Sequence, residues 1–427
     1  MITSGSLAVP ADHSPYHVVQ QLGRVLVLIE NHYVQPVDRA KLIEGAIKGM
    51  VAELDPHSAY LPPTDFTEFQ NDTEGRFVGI GVEVDARDGI ITIIKPIEGS
   101  PAERAGLRAG DRIIGVDGWP TRGKPLDLVV ERIRGERGST LRLLIQRPGV
   151  DRPFEVEVVR GDVQVKSVIA KRLDGDIAYI GIKQFQRGTH AEFIDALGAM
   201  RLESDRPLAG MILDMRTNPG GLVHEASRVA DELLDGGVIF STRARGHVLD
   251  QVTASGGGAA SSLPLTVLVN EYTASAAELI AGAVQDHRRG VLFGARTFGK
   301  GSVQSIVELP DSAALKLTTT LYHTPSGRTI QAEGVLPNVV VHPVRTEEGL
   351  PIARERDIEG HLPSPNARPV DPSASKPQRP TTADIVIPRS IPDNPIGRGD
   401  LALSMAYQVL TGRVVPANVE LPWKDAK

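Results

Sequence analysis

The sequence predicts an α/β core with a largely parallel sheet, an inserted β-rich module and a helical N-terminal segment. Three observations predict it. Short apolar runs at Ile177–Ile182, 211–214, Leu265–Val269 and 291–293 alternate with helical patterns at 191–202, 223–234 and 276–285, the order expected of strand–helix–strand units. Residues 75–161 alternate strand and turn signals around one helix, 126–134. Ahead of them, Leu22, Val25, Leu26, Ile29 and Tyr33 recur at helical spacing, and a second helix opens after Asp38 with Leu42, Ile43, Ala46, Ile47 and Met50 on one face.

Each segment has a physical reason. Two amphipathic helices cannot bury their apolar faces alone, so residues 1–72 must pack on another part of the chain or on a second copy. Residues 73–165 form the β-rich module, 166–345 the α/β core, and 346–427 a linker with a final helix at 400–410. Pro363, Pro365, Pro369, Pro372, Pro377 and Pro380 stand among polar residues, a composition too poor in large apolar side chains to fold by itself. The R-G-D at 398–400 marks the start of the last helix.

Composition excludes several classes. At 427 residues the chain is long enough for two or three cores, and 41% hydrophobic with 23% charged residues is ordinary for a soluble protein. A formal charge of -6 with no basic stripe argues against nucleic-acid binding. There is no cysteine, hence no disulfide, no thiolate metal site and no cysteine nucleophile. Aspartate and glutamate lack metal-ligand spacing, so neither metal nor cofactor is expected. No run of about 18 apolar residues, the length needed to cross a membrane, occurs. Residues 1–15 lack the basic start and apolar segment of a signal peptide.

The richest stretch runs from 270 to 304. The apolar run 264–269 ends in a polar turn that opens into a small-residue helix near Ala276. Ser275 thus stands at a strand-to-helix junction, where helix-start N–H groups can stabilise negative charge. A serine there is also a common N-cap. Lys300 follows between Gly299 and Gly301, behind Phe298, with Gln304 one short step later. Most lysines are solvated surface charges, but one in a dry pocket loses proton affinity and can take the proton of a serine. Gln304 can hold that amine if a strand begins near Val303. The glycine loop N-P-G-G-L and the residue after the serine offer Gly221 and Ala276 N–H groups as an oxyanion hole. Thr273 is the nearest rival nucleophile. His224 and His287 are the histidines a triad would need; His287 sits at a helix end, where the dipole alone favours it. His57 and His323 read as structural.

These motifs together resemble the carboxyl-terminal processing peptidases, serine endopeptidases joined to a PDZ domain. T-A-S-A-A-E-L-I-A-G-A-V-Q-D, T-F-G-K-G-S-V-Q and the 25-residue step from Ser275 to Lys300 carry the resemblance. So do Y-V-Q-P-V-D-R-A-K-L-I-E-G-A-I-K-G-M-V-A-E-L-D-P-H-S-A-Y-L, similar to the family's helical N-terminal segment, and L-D-M-R-T-N-P-G-G-L, similar to its glycine-rich core loop. Y-H-T-P-S-G-R-T-I-Q-A-E-G-V-L-P-N is similar to its late core strand pair. Coverage runs from about residue 18 to 344. Thr217 and Asn338 stand where another polar residue is expected.

The resemblance implies a crotonase/Clp-like spiral α/β core. It implies that Ser275 is the nucleophile, Lys300 the base and Gln304 its support. It makes the inserted module a PDZ domain: F-V-G-I-G-V-E-V resembles the carboxylate-binding loop and ligand-pairing strand, with Val78, Gly79, Ile80, Gly81 and Val82 contacting a peptide end, and S-P-A-E-R-A-G-L-R-A-G-D-R-I-I-G-V-D-G supports it. Arg134, at the end of the module's helix, is a candidate switch residue and also an ordinary helix-end cation. The expected partners are unfolded or tail-exposed protein substrates, an adaptor and a second copy in a homo-oligomer, without nucleic acid. Family members are exported, so a periplasmic or cell-envelope location is expected. The expected function is cleavage near protein C-termini through an acyl-enzyme, against a latent or silent PDZ scaffold switched on by ligand or adaptor.

Overall fold

The computed structural model describes residues 15–87, 89–341, 353–365, 400–414, 416 and 419–423. The N-terminal segment runs α1 (Pro15–His32), α2 (Arg39–Ala52), β1 (Ala59–Leu61) and α3 (Pro63–Glu74). Asp38 caps α2, accepting from Ala40 N at 2.9 Å. Among the described residues the apolar face read from the sequence is only partly covered: Leu26, Ile29, Leu42, Ala46 and Ile47 are half-buried, whereas Tyr33 is 60% and Met50 58% exposed, and Leu22, Val25 and Ile43 are exposed as well.

The inserted module follows as β2 (Arg76–Gly79), β3 (Val82–Arg87), β4 (Ile90–Pro96), α4 (Pro101–Arg104), β5 (Arg112–Val116), β6 (Trp119–Pro120), α5 (Leu126–Ile133), β7 (Thr140–Gln146), β8 (Phe154–Val159) and β9 (Gly161–Gln164). An antiparallel sheet in the order β3-β4-β5-β7-β8 wraps its own core of Ile91, Ile93, Ile113, Val129, Leu141 and Leu143. β3 is an edge strand. β2 and β9 pair with each other, so chain entry and exit form one two-stranded ribbon.

The core comprises β10 (Val168–Leu173), β11 (Ile177–Ile182), α6 (Thr189–Leu202), β12 (Gly210–Asp214), α7 (Val223–Leu233), β13 (Gly237–Ala244), β14 (His247–Ala254), β15 (Leu265–Val269), α8 (Ala276–Asp286), β16 (Val291–Gly294), β17 (Ser302–Glu308), β18 (Ala314–His323) and β19 (Val339–Val340). Its main sheet runs β10-β11-β12-β15-β16-β19, parallel except for β10. α6, α7 and α8 cover one face. The last helix, α9 (Leu401–Leu410), covers the other with Leu403, Ala406, Tyr407 and Val409. Burial from both sides explains why β12 and β15 read as unbroken apolar runs.

One sheet was missed in the sequence, and two expectations need correction. A second, antiparallel sheet, β1-β18-β13-β14 with β17 on β18, was not foreseen. The expected strand pair at 322–338 is mostly turns: β18 ends at His323 and only His323 and Thr329 bridge. Residues 353–365, inside the expected linker and including Pro363 and Pro365, pack on the core through a short helical turn at Glu355–Asp357. Pro369, Pro372, Pro377 and Pro380 lie outside the described residues, as do residues 1–14.

Candidate active site

The loops that leave the carboxyl ends of β11, β12, β15 and β16 converge, the usual place for a site in such a sheet. Ser275 lies where β15 gives way to α8, with φ 53° and ψ −119°. This left-handed setting is strained for a residue with a Cβ, at about 1–3 kcal/mol, and it is the geometry that lifts a nucleophile out of a strand–turn–helix junction. The turn is held from several sides. Ala274 N donates to Asn218 O at 2.9 Å, and Asn218, fully buried, accepts from Gly220 N at 2.8 Å. A Cβ on Gly220 would stand 2.8 Å from Ser275 Cβ and 3.0 Å from Ala276 N, so the glycine loop lies directly against the serine. On Gly221 (φ 125°) a Cβ would meet Phe185 O at 2.1 Å. Among the described residues, neither Gly221 N–H nor Ala276 N–H has an acceptor.

One residue that sequence reading missed ties the serine to the lysine. Glu278 is fully buried in the first turn of α8. Its Oε2 accepts from Ser275 N at 2.8 Å and from Lys300 N at 2.9 Å, so those two nitrogens are no farther apart than two hydrogen bonds allow. Its Oε1 accepts from Gly299 N at 2.8 Å and from the Thr297 hydroxyl. Burial pushes the carboxyl up to about 7, against the pull of those four donors. The signal was present in the sequence as S-x-x-E, the capping-box spacing.

Lys300 is half-buried, and burial holds its ammonium below the usual lysine range. Lys316 on β18 adds to this; the carboxylates of Glu355, Asp55 and Glu278 oppose it. The structure therefore brings together Ser275, Ala276, Gly221 and the Lys300 turn. Gln304 it places differently. The side-chain amide on β17 donates to Ser302 Oγ at 3.0 Å and Thr318 Oγ1 at 3.2 Å, not to Lys300.

The rivals fall away on contacts. Thr273 is fully buried, with its hydroxyl donating to Met215 O at 2.9 Å and accepting from Asn270 N. His287 ends α8 with Nε2 2.6 Å from Val238 O, and His224 is exposed beside Glu225. Neither bonds Ser275. Thr217 (φ 60°) is held by Asn270, whose Oδ1 accepts its N–H at 2.8 Å, and Asn338 accepts from Leu292 N.

On the inserted module, Val78 and Gly79 are paired in the ribbon with Asp162 and Gly161. The loop proper is Ile80 and Gly81. Their carbonyls are taken by Ala102 N (2.7 Å) and by Ile97 N and Ser100 Oγ (2.9 and 3.0 Å), while their N–H groups have no acceptor among the described residues. Val82 then opens the edge strand β3. Gly81 (φ 76°) leaves no room for a side chain, since its Cβ would meet Ser100 Cβ at 2.4 Å. Arg134 is exposed just past α5 and, among the described residues, makes no side-chain hydrogen bond or ion pair with the serine–lysine turns.

The profile of peptidase family S41 matches residues 176–341, that of a PDZ domain residues 92–147, and that of the activating protease CtpB N-terminal domain residues 9–64. The carboxy-terminal-processing protease of Bartonella bacilliformis is 35% identical over 423 residues, 98% of this chain and 94% of that one. The chain belongs to peptidase family S41. It is a serine protease of the carboxy-terminal-processing type with a PDZ domain. A Staphylococcus haemolyticus protein described as a CtpA-like serine protease is 37% identical over 316 residues, 73% of this chain and 62% of the relative's length. A solved structure from Bacteroides fragilis, described as an S41 protease, shares the fold with a TM-score of 0.50 at 17% identity, covering 74% of this chain and 90% of that one.

Proposed function

We propose that this S41 protease cleaves peptide bonds near protein C-termini by a Ser–Lys mechanism. Ser275 Oγ attacks the scissile carbonyl as its proton passes to the neutral Lys300 amine, the oxyanion settles between Gly221 N–H and Ala276 N–H, and water then releases the acyl-enzyme. The observation that carries this is the single Glu278 oxygen joining the Ser275 and Lys300 backbones beside two unpaired N–H groups. The PDZ domain would hold the substrate's terminal carboxylate at Ile80 and Gly81 and pair its last residues along β3. Main-chain pairing gives loose side-chain preference, so the substrates are unfolded or tail-exposed proteins.

A latent state that a ligand or adaptor activates has its own support. Gln304 is turned to Thr318 rather than to Lys300, and three carboxylates stand near the lysine. In the active form Gln304 would swing to the amine, with Arg134 a candidate member of the switch. The exposed face of α1 and α2 fits a homo-oligomer, and the family fits an exported enzyme; among the described residues no helix is long and apolar enough to cross a membrane. Cleavage of an unfolded reporter by wild type and by Lys300→Ala tests the mechanism: the variant must lose activity while keeping its fold. Adding a PDZ ligand tests latency, which requires the ligand to raise wild-type kcat.

A further inference from the structure

Residues 353–365 lie beyond the S41 match, yet Glu355 is completely buried. His57 Nε2 stands 2.8 Å from its Oε2 and Gln331 Nε2 donates to its Oε1 at 2.9 Å, while its own N–H donates to Phe298 O at 3.3 Å. Gln331, also fully buried, accepts from Gly301 N at 3.0 Å and donates to Leu362 O at 2.9 Å. With Thr273 and Glu278 on the remaining positions, every N–H from Phe298 to Gly301 has an acceptor. The contact continues into the N-terminal segment. Asp55, two residues before His57, accepts from Ser58 and from Thr318, the same threonine that receives the Gln304 amide.

A fully buried carboxylate costs stability unless it is well paired, and an apolar residue would fill the space at lower cost. Here the carboxylate joins three separate stretches of chain at the lysine turn. We propose that Glu355 is a positioning residue for the protease reaction: with His57 and Gln331 it clamps the turn that carries Lys300 and sets a negative charge near the lysine amine. The proposal rests on Lys300 being the base. The charged groups facing Lys300 are Glu278 from α8, Asp55 from the loop before β1, Lys316 from β18 and Glu355 itself. Glu355 favours the ammonium, so removing its charge lowers the proton affinity of Lys300.

The test works without turnover. Full-length protein is acetylated with trace acetic anhydride from neutral to alkaline pH, and mass spectrometry follows the peptides containing Lys300 and the exposed Lys171. Glu355→Gln should move the Lys300 midpoint down by about one pH unit, the lower end of what a neighbouring opposite charge produces, and leave Lys171 unchanged. An unmoved or raised midpoint overturns the charge role. Glu355→Asp keeps the charge but withdraws it by one methylene, and stands in if the glutamine variant loses its melting transition. Its Lys300 midpoint should stay at the wild-type value while kcat falls about tenfold at constant KM, as misplacement of a base predicts. Full kcat in that variant overturns the clamp. A shifted midpoint in a chain that never cleaves, even with an activating PDZ ligand present, would sink the Ser–Lys reading and leave the clamp standing.

Discussion

Replacing Glu278 by glutamine removes two acceptor positions while leaving the size of the side chain almost unchanged. In the wild type each carboxylate oxygen receives two donors. The amide keeps one oxygen and turns an NH2 group toward the other pair. Two buried donors left facing a donor cost about 1–3 kcal/mol each. Against this stands relief from burying a charge: raising the carboxyl from 4.5 to about 7 corresponds to roughly 3 kcal/mol at alkaline pH. The two effects oppose each other and are of similar size, so the variant should still fold. Its pH dependence has a definite sign. The folded-state pKa is raised, so the stability that the glutamate contributes is full below about 4.5 and lost as pH climbs through about 7. The gap between wild type and Glu278→Gln in thermal melts therefore narrows over that window. Catalysis suffers more, since the oxygen shared by Ser275 and Lys300 sets their spacing. A displacement near 1 Å lowers kcat about 100-fold. Steady-state kinetics on a fluorogenic peptide, beside the melts, would decide: a folded Glu278→Gln with kcat within about threefold of wild type refutes the shared-oxygen reasoning.

Other substitutions probe other parts. Gly220→Ala puts a Cβ 2.8 Å from Ser275 Cβ at φ 101°, so kcat should fall about 100-fold or more, with a melting shift that reflects about 1–3 kcal/mol of strain. Gly81→Val should abolish binding of a peptide with a free carboxylate, measured by fluorescence anisotropy, while thermal melts show the protease core intact. Burial lowers the proton affinity of Lys300, and only the neutral amine accepts a proton, so kcat/KM should rise with pH through a midpoint below the ordinary lysine value of about 10.4. Asp400 Oδ1 accepts from Arg216 Nη1 at 2.8 Å, and Asp400 also caps α9; Asp400→Ala should cost about 1–3 kcal/mol by denaturant titration, because Asp214 still pairs with the guanidinium.

Much of the site was legible because local chemistry and tertiary structure agree there. β12 and β15 are buried on both faces, so their sequences are continuous apolar runs, and the turns after them are marked by glycine and proline. The second sheet was hidden by its half-exposed strands: β14 reads H-V-L-D-Q-V-T-A, and β18 is rich in threonine. Neither gives a clean apolar alternation. Glu278 was overlooked because a glutamate in the first turn of a helix ordinarily answers the helix dipole; its burial comes from packing against the lysine turn. Residues 353–365 look like linker by composition, with Pro363 and Pro365 in the same stretch as five acidic and basic residues. What orders them is partners distant in sequence, His57 and Gln331 above all. No periodicity within the segment records such contacts.

The central claim is that Ser275 and Lys300 do the chemistry on substrates held by their tails. The most direct measurement is cleavage of one unfolded reporter, with its terminal carboxylate free or amidated, by wild type, Ser275→Ala and Lys300→Ala, the free tail itself serving as the PDZ ligand. The account predicts cleavage by wild type alone, weakened by amidation. Cleavage that survives in Ser275→Ala would contradict it.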